Sequence, residues 1–324
     1  MKIVTITDAT GSGGQVANGV KVGRAFSRMG HAVSRISHTQ IDRDHLRGAG
    51  LVLSFGTVIR ADYIMCRKPV TMRGRDLQGG YFKRIRDLKD KDAVSALWYF
   101  DQCNPRQKHS PYKFAAIQHA CRDLDWLITT DHSFPWETKA RNYLWLMQGV
   151  DPAEFAYTVL PPEPRAYDII YTGGVDGHFE YRKKLINDLK VRFKVSAYGR
   201  GHARRVFGRD FFVVYQRARV GLVPHPLPEA RDHYWSNRIY IATATGTPCL
   251  VGYVPGVEDH FTDGKEVMFY RTTQEASQKA YQLVNDPDMR REMGRVARER
   301  TLREHTYDAR CRTMLDAIFK GTTH

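Results

Sequence analysis

Residues 236–270, SNRIYIATATGTPCLVGYVPGVEDHFTDGKEVMFY, constrain the fold more than any other stretch of the chain. Ile239 with Ala242, and Tyr240 with Ala244, are apolar pairs at helical spacing, and Gly246 stands where such a helix ends in a left-handed residue. Thr247-Pro248 then turns the chain. Cys249-Leu250-Val251 is a short apolar run of the kind that fills a parallel sheet. Val254-Pro255-Gly256-Val257 follows as a loop at the carboxyl end of that strand, where open α/β sheets bind ligands. Helix, turn, buried strand and glycine loop in this order predict an α/β fold.

The same alternation runs through the chain. Residues 2–7 read as a strand, 8–14 (DATGSGG) as a glycine-rich turn and 15–29 as a helix that Gly30 ends. A strand, a glycine loop and a helix N-terminus can cradle phosphate, which makes Gly13 and Gly14 candidates. A dinucleotide fingerprint would need a third glycine where Val16 stands and an acid closing the second strand, 31–37. Both are missing, as is a P-loop, so nicotinamide and P-loop chemistry are disfavoured.

Residues 50–55 form the next strand. The composition then changes: between 66 and 91, Arg67, Lys68, Arg73, Arg75, Lys83, Arg84, Arg86, Lys89 and Lys91 face only Asp76, Asp87 and Asp90. Gly74, Gly79 and Gly80 suggest a loop, with Tyr81 and Phe82 interleaved among the charges. Basic side chains neutralise phosphates and aromatic rings stack on bases, so Arg73, Arg75, Tyr81, Lys83, Arg84 and Arg86 form a candidate nucleic-acid surface. A solvated basic face is the plainer reading of the same run.

Residues 93–100 read as a strand ending at Asp101, a carboxylate that could deprotonate a hydroxyl or merely cap a turn. A helix over 111–122 carries His119, and a strand over 125–130 ends at Asp131-His132. Asp101, His119 and Asp131 are the candidate catalytic groups. Residues 145–147 continue the sheet, and the proline-rich segment 161–168 is the natural linker.

A second series begins with the strand 168–172 and Gly173-Gly174. It continues with a helix carrying Arg182, Lys183 and Lys184, a strand over 195–199, and a strand over 220–223 that leads into Pro224-His225. Residues 286–320 read as Arg-rich helices.

On these residues the chain resembles the GT-B glycosyltransferases, specifically the group-1, CgeB-like (spore-maturation-type) branch. That pattern runs N-x-R-x-F-E-x-x-A-x-G, a strand, then G-(L/V)-E-x-x-F-x-x-G-K-E. It is met here by Arg238, Tyr240, Ala244, Gly246, Gly256, Glu258, Phe261, Gly264, Lys265 and Glu266. Leu97 to Asp101, Gln148-Gly149-Val150-Asp151 and His305-Thr306-Tyr307 extend the resemblance. Ser236 stands where the pattern has Asn, and Ile241 where it has the Glu that holds the nucleotide ribose. The resemblance implies two Rossmann-like domains facing a cleft, one over residues 1–160 for the acceptor and one over 161–306 for the donor, with a last helix (about 307–324) packing back on the first. It implies a nucleotide-sugar donor, a UDP-sugar, and a donor site of Gly13, Gly14, Gly173, Gly174, Arg182, His225, Ser236, Asn237, Arg238, Gly256 and Glu258. Arg182 and Arg238 would meet the diphosphate, the amides of Gly173, Gly174 and Gly256 would approach it, and Glu258 would contact sugar or ribose. No cofactor beyond this co-substrate is expected, and the family analogy suggests retention at the anomeric carbon.

The acceptor is read from charge. Of 324 residues, 50 are Lys or Arg and 35 Asp or Glu, a net charge of +15. Residues 1–150 hold 23 Lys/Arg against 13 Asp/Glu, so the excess is concentrated there. A basic first half favours a polyanionic acceptor, with a hydroxymethylated base in DNA, as in virus-type DNA glycosylation, ahead of a cell-surface, spore or lipid-linked glycan. A non-catalytic nucleic-acid or sugar-nucleotide binding module is the reading from another class, and Ile241 is its argument. Four D-x-D triplets (Asp42/Asp44, Asp90/Asp92, Asp123/Asp125, Asp286/Asp288) fall in charged helical or turn segments, so no metal is expected. Five scattered cysteines, no apolar run of about 18 residues and no signal-peptide pattern predict a reduced, cytoplasmic setting (host cytoplasm for a viral chain).

Overall fold

The computed structural model describes residues 1–7, 14–56, 71–72, 75–76, 80–101, 111–132, 134–156, 165–175, 180–202, 205–206, 208–225 and 234–321. They form two compact units, Met1–Gln148 with Tyr307–His324, and Gly149–Thr306.

The first unit is a parallel sheet of six strands in the order β2-β1-β3-β6-β7-β8. These are β1 (Lys2–Thr7), β2 (Ala32–Ser37), β3 (Ala49–Phe55), β6 (Val94–Tyr99), β7 (Trp126–Thr129) and β8 (Tyr143–Trp145), with β4 (Thr71–Met72) and β5 (Arg75–Asp76) as a separate small hairpin. Helices α1 (Gly14–Arg28), α2 (Arg43–Leu46), α3 (Tyr81–Leu88) and α4 (Pro111–Asp123) connect the strands. The inner strands β1, β3 and β6 are buried along almost their whole length, as a covered parallel sheet requires, while the edge strand β2 is buried only at Ile36 and Ser37. One face packs Val4, Val52 and Leu97 against Tyr81, Phe82, Ile85 and Ile117 of α3 and α4. The other packs Ile3, Leu53 and Trp98 against Phe26 of α1 and against Tyr307, Cys311 and Met314 of the last helix, α10 (Tyr307–Lys320). Arg28 of α1 also makes a fork onto Asp308 of α10, with its shortest N···O distance 2.5 Å.

This packing corrects the reading of the basic segment. Tyr81 and Phe82 are 1% and 0% exposed, so neither ring can stack on a base. The charges of α3 are largely engaged: Lys83 pairs with Asp87 (3.2 Å), and Arg84 donates to the Ile41 carbonyl (2.7 Å). Arg86 reaches the buried Asp123 (2.6 Å) as well as Asp87. The reason is periodic: Tyr81, Phe82 and Ile85 form one helix face, and that face closes the core. Arg73 lies outside the described residues, and Arg75 sits in β5. The last strand of the sheet is β8 at Tyr143–Trp145, two residues before the expected position.

The second unit is a five-stranded parallel sheet in the order β10-β9-β11-β12-β13. Its strands are β9 (Tyr167–Thr172), β10 (Val195–Tyr198), β11 (Ala218–Val223), β12 (Cys249–Gly252) and β13 (Met268–Tyr270). Helices α5 (Glu180–Lys190), α6 (Arg209–Tyr215), α7 (Arg238–Ala244), α8 (Thr273–Asn285) and α9 (Pro287–Glu304) accompany them. Residues 149–156 belong to this unit because the Val150 N–H bonds to the His305 carbonyl (3.0 Å) and Arg298 holds the Phe155 carbonyl (2.6 Å). Glu266, the last acid of the glycine-loop motif, accepts from Arg300 (2.8 Å) and from the Thr262 amide (2.7 Å), so its role here is to hold that loop on α9.

Candidate functional site

In each strand–helix unit of a parallel sheet, the helix starts beside the carboxyl end of the strand before it. The second unit therefore gathers at one sheet edge the ends of β9, β11, β12 and β13 with the first turns of α5 and α7. Tyr171 comes from β9 and Gly173 from just beyond it, His225 from just beyond β11, Gly252 and Tyr270 from the ends of β12 and β13. Tyr181 and Arg182 lie in the first turn of α5, and Arg238 opens α7.

Arg238 is the centre of this cluster. Its guanidinium carbon lies 5.6 Å from the centre of the Tyr171 ring. Its Nη1 is shut off from solvent without a hydrogen-bond partner, and its side chain makes no ion pair among the described residues. Burial lowers its pKa; the Arg182 charge acts in the same direction, and the hydroxyls of Tyr171, Tyr215 and Tyr181 act against it. A guanidinium does not give up its proton in a protein, so the charge stays and needs a counter-charge.

Around it runs a chain of hydrogen bonds. Arg182, 6% exposed, donates from Nε to the Tyr181 hydroxyl (3.3 Å), and that hydroxyl donates to the His225 carbonyl. His225 is fully buried, and its Nδ1 accepts the Ser236 amide (3.5 Å), which puts the ring proton on Nε2. Burial and the nearby Arg238 and Arg182 charges push its pKa down to about 3, so the ring is neutral at ordinary pH. Its Nε2 has no hydrogen-bond partner, and neither has the Tyr270 hydroxyl. Each is a donor without an acceptor in surroundings whose charge is cationic, and an anion would satisfy them.

Gly173 makes room for it. Its φ is +145°, and a Cβ there would lie 2.5 Å from the Tyr171 hydroxyl and 2.6 Å from Arg238 Nη2. Its amide, however, is already donated to the Tyr198 carbonyl (2.8 Å), so it is not free to meet a phosphate as the sequence suggested. The Gly174 carbonyl accepts the Tyr171 hydroxyl (2.9 Å). The Gly256 amide is likewise engaged: Glu258 accepts from it (2.9 Å) and from the Tyr253 hydroxyl (2.9 Å), closing its own loop. Ser236 Oγ accepts the Arg238 amide (3.3 Å), and Asn237 is the residue before α7.

The candidates of the first unit are less gathered. Tyr99 and Thr129 are register partners, which sets Asp101 and Asp131 each two residues beyond a matched pair on neighbouring strands. Asp101 lies 3.8 Å from Lys113 Nζ, and Asp131 is fully buried. His119 lies six positions beyond Lys113 on α4, about 9 Å further along the helix axis at 1.5 Å per residue. The helix thus carries it away from the strand end where Asp101 sits. Gly13 lies outside the described residues and Gly14 opens α1. The D-x-D carboxylates have other partners: Asp42 and Asp286 cap helices, Asp90 accepts the Gly48 amide, and Asp123 pairs with Arg86 and Arg122. No group of three His, Cys, Asp or Glu among the described residues could hold a metal. No helix among them is long and apolar enough to cross a membrane.

Tyr171, Tyr181 and Tyr270 were not legible as site residues. Tyr171 and Tyr270 lie at the ends of apolar strands, the pattern of core aromatics, and Tyr181 is hidden among the charges of Glu180, Arg182, Lys183 and Lys184.

Residues 181–316 match a family model described as glycosyl transferase-like. No curated protein matches the chain in sequence. Among solved structures, an alpha-glucosyltransferase in complex with UDP and a 13-mer DNA containing an HMU base matches with a TM-score of 0.70 at 9% identity, over 98% of this chain and 99% of that one. The sucrose-phosphate synthase of Thermosynechococcus elongatus matches at 0.62 and 11%, over 99% and 100%. T4 phage BGT, solved with UDP and Mn2+, matches at 0.58 and 12%, over 98% and 99%. At such identities the likeness speaks to the fold, two parallel-sheet domains of the GT-B type.

Proposed function

We propose that this chain, a GT-B protein with a glycosyl transferase-like domain over residues 181–316, transfers a sugar from a nucleotide-sugar, a UDP-sugar, to an acceptor hydroxyl. The observation that carries this reading is the guanidinium of Arg238, whose Nη1 is shut off from solvent, which has no acid partner among the described residues and which lies at the carboxyl edge of the second sheet. A diphosphate supplies the missing charge. As the bond from the sugar to the diphosphate breaks, negative charge grows on the leaving oxygen, and Arg238 and Arg182, already in position, stabilise it without reorganisation. Asp101 is the general base of this reading, taking the proton of the acceptor hydroxyl. Glu258 is the group that meets the sugar or ribose, in place of the acid that Ile241 replaces.

For the acceptor, the net charge of +15 supports a hydroxymethylated base in DNA. The alpha-glucosyltransferase of the same fold was solved with a DNA containing an HMU base. A glycan acceptor is favoured by a different observation, the engagement of Lys83, Arg84 and Arg86 within their own unit. The reading is tested by calorimetry with UDP. Wild type binds, and Arg238→Ala loses about 1.5–3 kcal/mol, the scale of a hydrogen bond to a charged group. Nucleotide-sugars offered with hydroxymethylated DNA, unmodified DNA or glycans, and read by mass spectrometry, identify the acceptor. No transfer to any of them, with UDP binding intact, favours a sugar-nucleotide binding module instead.

A further inference from the structure

Tyr270 and His225 pose a problem that Arg238 does not. Both are neutral, both are buried to within 1% of full enclosure, and each ends in a polar atom that has no hydrogen-bond partner. Buried polar groups are nearly always satisfied, because leaving one unmade forfeits its hydration with nothing in return. Both residues border Gly252, where a Cβ would lie 3.0 Å from the His225 backbone nitrogen and 3.4 Å from the Tyr270 hydroxyl. Any larger residue at the end of β12 would therefore press on the backbone of one and the hydroxyl of the other. The charges around them are cationic: Arg182 acts on both groups, and Arg238 acts on His225. An acceptor that bonds Tyr270 Oη and His225 Nε2 in such surroundings carries negative charge.

We propose that Tyr270 Oη and His225 Nε2 are uncharged donors to the phosphate oxygens of the nucleotide, kept buried and unpartnered in the free protein at the expense of its stability. The inference rests on the donor-site reading above. The two groups differ from the arginines in what they add: a guanidinium attracts any anion, while two fixed neutral donors select where the oxygens lie.

The test pairs thermal melting of the free protein with calorimetric titration of uridine, UMP and UDP. Tyr270→Phe removes only the hydroxyl, so the free protein melts at the wild-type temperature or above it. Its affinity for UDP falls about tenfold, the effect of losing one hydrogen bond to a charged group, and its affinity for uridine does not change. His225→Gln can present a donor near Nε2 and retains more UDP affinity than His225→Ala. Unchanged UDP affinity in Tyr270→Phe overturns the proposal. So does a lower melting temperature, which would mean that the hydroxyl is already satisfied inside the fold, by a trapped water for example. If Arg238→Ala loses UDP while Tyr270→Phe keeps it, only this inference fails. If wild type binds no UDP, the donor-site reading fails and this one with it.

Discussion

Arg238 and Gly173 share one volume: a methyl group on Gly173 would lie 2.6 Å from Arg238 Nη2 and 3.0 Å from Cζ. The glycine follows β9 and the arginine opens α7, far apart in sequence, so the guanidinium owes its position to the bare backbone opposite. The site is therefore organised by what is left out as much as by the residues present.

Gly173→Ala is expected to cost both stability and ligand. Its φ of +145° is outside the range a side chain tolerates, and the new methyl group would also meet the Tyr171 hydroxyl at 2.5 Å. The backbone penalty alone is about 1–3 kcal/mol. Since the guanidinium must shift as well, UDP affinity falls about tenfold beyond any loss from unfolding. Chemical denaturation with and without UDP separates the two effects.

Arg238→Met keeps much of the volume and removes the charge. A partly buried cation with an unsatisfied Nη1 and no acid partner among the described residues adds little to the free fold beyond its contact with the Tyr171 ring, so the variant melts close to the wild-type temperature. UDP binding falls by about 1.5–3 kcal/mol. A melting temperature well below wild type would mean that Arg238 serves the fold instead.

How much of this was legible follows from what each residue does. The 236–270 stretch announced α7, β12 and the Gly256 loop because propensity, turn chemistry and burial agree there. Arg238 and Arg182 were visible only through the family resemblance, Arg182 being one of three consecutive basic residues with Lys183 and Lys184. The failure at Tyr81 and Phe82 was one of period. A basic run with two aromatics reads as a binding loop until the helix face formed with Ile85 is seen, and adjacent aromatics can open such a face. Tyr270 was invisible for the opposite reason. A tyrosine at the end of an apolar strand is ordinarily core, and only its unpartnered hydroxyl distinguishes it. The engaged amides of Gly173 and Gly256 depend on strand pairing and loop closure, which a glycine in a sequence does not reveal.

Arg86 and Asp123 give a prediction about stability alone. The Asp123 side chain is 1% exposed and is held by Arg86 and Arg122, each at 2.6 Å. Arg122 is 59% exposed at its side chain and is the weaker anchor. Arg86→Ala leaves the carboxylate under-satisfied and costs about 1–3 kcal/mol in urea denaturation. UDP affinity, read in the same preparation, stays at the wild-type value.

His225 sets an acid limit. Its folded-state pKa of about 3 lies below the 6.5 of a free imidazole, because burial and the Arg238 and Arg182 charges oppose protonation. As the pH falls, the unfolded chain therefore takes up the proton first. The stability this contributes is complete above about pH 6.5 and declines as the pH falls towards 3. The slope is at most about 1.4 kcal/mol per pH unit. Denaturation from pH 7 to 5, above most carboxylate titrations, should show a steeper fall for wild type than for His225→Gln. Parallel curves would mean that the ring takes up its proton as readily in the folded state as in the unfolded one.

The acceptor is decided by salt. If the chain binds DNA through its basic excess, duplex affinity falls by roughly 0.9 log unit per log unit of salt for each phosphate neutralised. From the charge of the sequence alone, replacing Lys83, Arg84 and Arg86 together is expected to flatten that slope by about three contacts. The structure changes the expectation. Lys83 is tied to Asp87, Arg84 to the Ile41 carbonyl and Arg86 to Asp123, so the triple replacement lowers the melting temperature and leaves the slope of the remaining folded protein little altered. Tyr81→Ala behaves the same way. Its ring belongs to the core cluster, and the loss is on the order of 3–5 kcal/mol of stability, with no specific effect on DNA. Binding to a short duplex containing hydroxymethylated pyrimidines, measured across a salt series for wild type and the triple variant, gives both quantities. A steep slope shared by the two proteins assigns the DNA contacts to other basic residues. A slope lost in a triple variant that remains folded would return α3 to the interface. No binding at low salt removes the DNA acceptor and leaves the glycan.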